Sequence, residues 1–188
     1  MDTYIQQLTL GIEIIKQNLP FVLMLMFILW AIHLVNWLLG NRLKVLGIYP
    51  RKWYSLPGIF LYPFIHSNFN HLFFNSIPLF ILINFILLSG YQTFYYVSFI
   101  IITLSGLGIW LFARKGYHIG ASGLIMGYWS YLLISAYYDH TSVFTIAPAI
   151  VCLYYFGGFL FQLFPTDIKT SFEAHFFGFV AGIAAYYI

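Results

Sequence analysis

The stretch "GYHIGASGLIMGYW", Gly116 to Trp129, opens on a serine fenced by small residues and runs into large apolar side chains. Gly120, Ala121 and Gly123 leave almost no bulk around the hydroxyl of Ser122. Whether the run that follows is the core of a soluble domain or a crossing of a bilayer decides the fold. Composition answers for the bilayer: of 188 residues 62% are hydrophobic and 7% charged, and the mean hydropathy is +0.87. An ordinary soluble domain is roughly 45–50% apolar and about 25% charged.

Outward from 121–138, apolar runs recur at about 21–40, 70–89, 92–113, 143–164 and 171–188, each close to the roughly 20 residues that a membrane-crossing helix needs. Six crossings are therefore expected. "GNRLKVLGIYPRKWYSLPG" (Gly40–Gly58) is a long basic loop after the first; "SGYQ", "ARKGYHIG", "YDHT" and "FPTDIKT" are short breaks that imply antiparallel neighbours. Ahead of the first crossing, Ile5, Leu8, Ile12, Ile15 and Leu19 recur at helical spacing among Gln, Thr, Glu and Lys. That pattern divides the chain into an amphipathic, interfacial segment 1–19 and an all-α polytopic membrane bundle 20–188.

Several function classes lose support here. The net charge of +3 contains no run of Lys and Arg, so no nucleic-acid partner is expected. Cys152 is the only cysteine, which rules out an intrachain disulfide or thiolate cluster. A removable signal peptide is not expected, since the first residues lack a basic stretch and a cleavage motif. No internal repeat supports a repeat-built transporter, and polar residues do not continue to the far face as a channel would need.

The polar residues gather at one depth. His71 and Asn75 lie in the opening turns of the second crossing, Ser122 opens the fourth, and His175 lies near the start of the sixth. Even-numbered helices run the same way, so these beginnings face one side, and their positive dipole ends favour negative charge there. His71 and Asn75, at i and i+4, share a helix face. Gly123 and Gly127 form a small-residue stripe beside Ser122, and Gly178 and Gly182 form one near His175; such stripes let membrane helices approach closely. If they pack together, Ser122 and His175 come within reach, and a serine needs such a base to become a nucleophile. Thr170-Ser171-Phe172-Glu173 reads as a capping box that starts the last helix.

Each residue also has a bland reading. A serine among small residues in a membrane helix is commonly a packing residue, Asn75 can be interhelical glue, and His66 can simply fix its loop. Intramembrane histidines carry a default functional suspicion, and four polar residues at one depth outweigh four separate accidents. His33 has no partner at helical spacing, Asp139-His140 falls in the opposite loop, and His118 reads as a loop contact.

"HSNFNHLFFN" (His66, His71, Asn75), "GASG" (Gly120–Gly123) and "EAHFFGFVAG" (His175, Gly178, Gly182) together resemble the three signatures of rhomboid intramembrane serine proteases, in order and on the matching helices. The resemblance runs from the first crossing to the end of the chain. It implies a six-transmembrane-helix rhomboid-like bundle in which Ser122 is the nucleophile and His175 its general base, a dyad with no carboxylate. Asn75, His71 and the backbone amide of Ser122 would form the oxyanion hole. His66 and Gly120 would support the site, as would Gly123, Gly178 and Gly182. Two positions depart from the family pattern: Pro57-Gly58 stands where a Trp-Arg pair is common, and Met126 replaces an aromatic one turn after the nucleophile.

The implied partners are transmembrane protein substrates and the lipid bilayer, with no cofactor or metal, in a multi-pass protein of the bacterial cell (inner) membrane. No His-Glu-x-x-His is present for zinc, and Asp139 and Glu173 fall on opposite sides. The alternative is a non-proteolytic rhomboid-like protein that binds membrane helices. Such relatives typically lack the serine or the histidine, and this chain has both. The resemblance puts the N-terminus in the cytoplasm and the site toward the outer face. Charge points the other way, because Arg42, Lys44, Arg51, Lys52, Arg114, Lys115 and Lys169 fall on the site's side and Lys16 alone on the other.

Overall fold

The computed structural model describes residues 2–164 and 171–188. Among the described residues seven α-helices follow one another: α1 (Asp2–Leu38), the short α2 (Gly58–Leu61), α3 (Phe69–Leu87), α4 (Tyr91–Phe112), α5 (Ser122–Tyr138), α6 (Val143–Phe156) and α7 (Phe172–Tyr187). Tight turns of 3-10 helix occupy Arg42–Leu46, Trp53–Ser55, Tyr62–Phe64 and Gly157–Leu163. Among the described residues the extended contact is a single antiparallel bridge, Ile48 with His118, which ties the first long loop to the loop entering α5.

Among the described residues, four stretches are long and apolar enough to cross a membrane: Thr3–Leu38, Phe69–Leu87, Tyr91–Phe112 and Val143–Leu163. α5 and α7 have 17 and 16 residues. At 1.5 Å per residue they span about 26 and 24 Å, short of the roughly 30 Å hydrocarbon layer. α5 is an inner helix: it packs on α3, α4, α6 and α7, and its residues Gly123 to Ser130 are all buried. A helix enclosed by protein need not match the bilayer. α7 buries one face, on α5 and α4, and exposes Phe176, Val180 and Tyr187 on the other.

The amphipathic segment 1–19 differs from its expected form. It continues through Pro20 into the first apolar run as one helix of 37 residues. Its apolar stripe faces away from the bundle: Ile5, Leu8 and Ile12 are exposed, while Gly11 and Asn18 are buried. Gln7 Oε1 accepts a hydrogen bond from the Val143 amide at 3.0 Å, seating this end of α1 on the start of α6. The reason is the solvent. Apolar side chains gain nothing by leaving lipid, so small and polar residues form the helix contact.

α7 lies against α5 and α4. Gly178 meets the backbone carbonyl of Gly123, and Gly182 that of Gly127, so closely that an added methyl would overlap the oxygen. The stripes read from the sequence are thus the α5–α7 contact. On the outside, Phe27, Phe74, Phe99, Phe112 and Tyr154 present large apolar faces, as a lipid-facing surface does.

Candidate active site

The starts of α3, α5 and α7 and the end of the Gly157–Leu163 turn converge on a cavity of about 690 Å³. Its walls include Ser67, Asn68, His71, Phe74, Asn75, Tyr117, His118, Ser122, Gln162, Ser171 and His175. Four sequence candidates, Ser122, His175, His71 and Asn75, therefore share one cavity. His66 lies behind it, fully buried, and Gly178 and Gly182 lie farther along α7.

Hydrogen bonds fix the tautomers of two imidazoles. His175 Nδ1 lies 3.1 Å from the Gln162 carbonyl oxygen. A carbonyl only accepts, so Nδ1 carries the proton and Nε2 keeps its lone pair. That is the tautomer a general base needs. His66 Nε2 lies 3.1 Å from Asn75 Nδ2 and 3.4 Å from the Ala121 amide, both donors, so its proton sits on Nδ1. Burial, with His71 and His33 nearby, pushes the His66 pKa down to about 3, so the ring stays neutral and able to accept.

This single imidazole joins three segments. The first loop carries it, α3 gives it Asn75, and the turn before α5 gives it the Ala121 amide. Asn75 Nδ2 is thereby oriented with one N–H committed and one left for another acceptor. Asn36 of α1 holds the same loop from behind, its Nδ2 donating to the His66 carbonyl at 3.2 Å and its Oδ1 accepting from the Leu43 amide at 2.9 Å. Asn68 caps α3 by accepting from the His71 amide at 2.8 Å, and Ser67 Oγ lies 3.1 Å from His71 Nδ1.

The turn into α5 demands its glycine. Gly120 has φ +116°, in the region that L side chains avoid, and a Cβ there would stand 2.6 Å from His71 Cε1. Met126 is fully buried one turn into α5.

At the start of α7, Ser171 Oγ accepts from the Ala174 amide at 3.4 Å; Thr170, and with it the expected capping box, lies outside the described residues. Glu173 accepts from Arg114 Nε at 2.6 Å, from its Nη2 at 3.2 Å and from its backbone amide at 3.2 Å. His118, read as a loop contact, does more than that. Its Nε2 donates to the Arg114 carbonyl at 2.9 Å, so Nδ1 is the lone-pair nitrogen that accepts from Ser171 Oγ at 2.7 Å. Burial holds its pKa below the ordinary histidine value, which keeps that arrangement. His118 thus couples the loop that delivers Ser122 to the helix that carries His175.

Sequence reading missed Gln162, Asn36 and the His118–Ser171 link. Gln162 acts through its backbone, so no side-chain signal marks it. Asn36 lies one helical turn beyond His33, near the end of a crossing, and its polarity there was the available signal.

The chain is thus a helical membrane-type bundle with a recessed polar cavity that Ser122, His175 and Asn75 line. Residues 50–188 match the family described as Rhomboid domain. The chain is also similar to uncharacterised mycobacterial proteins. One from Mycobacterium tuberculosis and one from Mycobacterium bovis are each 35% identical over 176 residues, covering 89% of this chain and 73% of the relative. One from Mycobacterium leprae is 30% identical over the same length, covering 69% of the relative. The chain belongs to the rhomboid family.

Proposed function

We propose that the protein is an intramembrane serine protease that hydrolyses peptide bonds in or near transmembrane segments of other membrane proteins. Rhomboid proteins are in general serine intramembrane proteases, which supports the class. The observation that carries the reading is the His175 Nδ1–H bond to the Gln162 carbonyl, which leaves Nε2 as the acceptor in a cavity shared with Ser122. A backbone carbonyl fixes the tautomer that a carboxylate fixes in a three-residue site.

In this reading His175 Nε2 takes the Ser122 hydroxyl proton as Oγ bonds to the scissile carbonyl carbon. Negative charge moves to the carbonyl oxygen, where the free Asn75 Nδ2 N–H, His71 and the Ser122 amide receive it. The C–N bond then breaks, and His175 returns the proton to the leaving amine. Water, giving its proton to Nε2, attacks the ester and restores the Ser122 hydroxyl. No step calls for a metal or cofactor. His66 and Gly120 support the site by orienting Asn75 and shaping the turn, and Gly123, Gly178 and Gly182 by holding α7 on α5. We place the bundle in a bacterial cell membrane with six crossings, the N-terminus in the cytoplasm and the cavity toward the outer face.

A fluorophosphonate probe tests this in the purified protein. Labelling of the wild type, its loss in Ser122→Ala, and cleavage of a single-pass substrate panel identified by mass spectrometry are the expected results. A chain that takes no label and binds transmembrane helices without cutting them would support the helix-binding alternative.

A further inference from the structure

A second cavity, of about 290 Å³, lies outside the candidate active site and is lined by Tyr49, Pro50, Arg51, Lys52 and Lys115. Three of its five walls are cations and none is an acid. We propose that this cavity binds a phosphate group, with a phospholipid headgroup as the source its position favours.

The site is held in shape by the fold. Arg51 adopts φ 59°, a conformation that a non-glycine residue enters only when its surroundings require it. Its amide donates to the Trp110 carbonyl at 2.9 Å and its Nη1 to the Leu111 carbonyl at 2.9 Å. Arg51 thereby covers two carbonyls at the end of α4, the negative end of a helix dipole that would otherwise repel an anion. The turn's own carbonyls are also engaged: Tyr49 O accepts from Ser55 Oγ at 2.7 Å, and Lys52 O from the Trp110 indole at 3.0 Å. The Ile48–His118 bridge and the Tyr49–Tyr117 ring contact, centroids 5.2 Å apart, bring the loop bearing Lys115 alongside.

Three like charges around one small cavity repel one another, and an anion relieves that. Among the described residues, the acid on this side, Glu173, is committed to Arg114. Trp53 and Tyr54, next in the chain, are 80% and 52% exposed. Amphipathic aromatics settle at the membrane–water interface, which puts the adjoining cavity at headgroup depth. The inference is independent of the proteolytic reading.

Native mass spectrometry of the full chain, equilibrated with equal amounts of phosphatidylglycerol and phosphatidylcholine, tests it. The wild type should retain phosphatidylglycerol preferentially. Lys52→Gln with Lys115→Gln, which leaves the Arg51 turn intact, should weaken that retention by roughly thirtyfold, since each basic residue near an anionic surface contributes about fivefold. Arg42→Gln with Lys44→Gln removes the same charge elsewhere in the loop and should retain the preference. A parallel arm with inorganic phosphate separates the sources: competition with the lipid assigns a general phosphate site, and its absence assigns the headgroup. Equal retention of the two lipids, or equal loss in both double variants, overturns the proposal.

Discussion

His175 and Ser122 act as one unit in the proposed reaction, and Asn75 acts only once charge has developed. Ser122→Ala and His175→Ala should therefore each abolish turnover, with the double variant no slower than either; additive losses in kcat/KM would separate the two residues. Asn75→Ala should lower kcat by about 10² to 10³ with KM nearly unchanged, because a donor aimed at the oxyanion is used in the transition state. Phosphonate labelling of Ser122 should persist in that variant, more slowly. A raised KM at constant kcat would instead assign Asn75 to substrate binding. His66 adds a pH dependence. The folded ring accepts a proton near pH 3 and the unfolded one near 6.5, so between those values the unfolded state binds more protons and stability falls as pH falls. Unfolding followed from pH 7 to pH 5 should show a slope of up to about 1.4 kcal/mol per pH unit that flattens in His66→Gln. An unchanged slope would remove His66 as its origin.

Between helices, the α5–α7 contact is made by backbone against backbone. Gly178→Val pushes a branched side chain into the Gly123 carbonyl, so the helices must separate or α7 must shift. Overpacking of this kind costs about 1–3 kcal/mol or more. Activity should fall with stability although residue 178 does not line the cavity; wild-type rates and unfolding would show that the contact is slack. At the other end of α7, His118 holds the cap residue Ser171, and the Arg114–Glu173 pair holds the next turn. His118→Ala should lower kcat more than it lowers stability, because it loosens the end of α7 that carries His175 while leaving the glycine seam intact. Partial recovery in His118→Gln, which restores an acceptor, is the accompanying check.

For the molecule as a whole, orientation is the open physical contest. Seven of the eight Lys and Arg residues fall on the cavity side, and the positive-inside rule alone would place that side in the cytoplasm. The structure accounts for part of that charge locally. Arg114 is paired with Glu173, and Arg51 is tied to the end of α4. Charges engaged in a folded loop weigh less on topology than free ones, so both termini are expected in the cytoplasm. Fusion of a reporter that is active only in the cytoplasm to the C-terminus should give signal; signal only from an externally active reporter would reverse the assignment.

Hydropathy alone determined that this chain is a helical membrane protein, since runs of about 20 apolar residues leave the backbone no other way to satisfy its hydrogen bonds in lipid. Spacing alone put His71 beside Asn75 and matched the glycine stripes near Ser122 and His175, because helical periodicity is local. Tertiary structure decided the rest. The sequence could not show that segment 1–19 continues into the first crossing, because its apolar stripe fits an interface and a lipid-facing helix equally well. Nor could it give the length of α5, which depends on that helix lying enclosed by others. The Arg114 partner of Glu173, the Gln162 carbonyl on His175 and the three-way grip of His66 are contacts between residues distant in the chain. Backbone carbonyls and amides supply half of those partners, and every residue has them, so no pattern of side chains marks where the fold will bring them together.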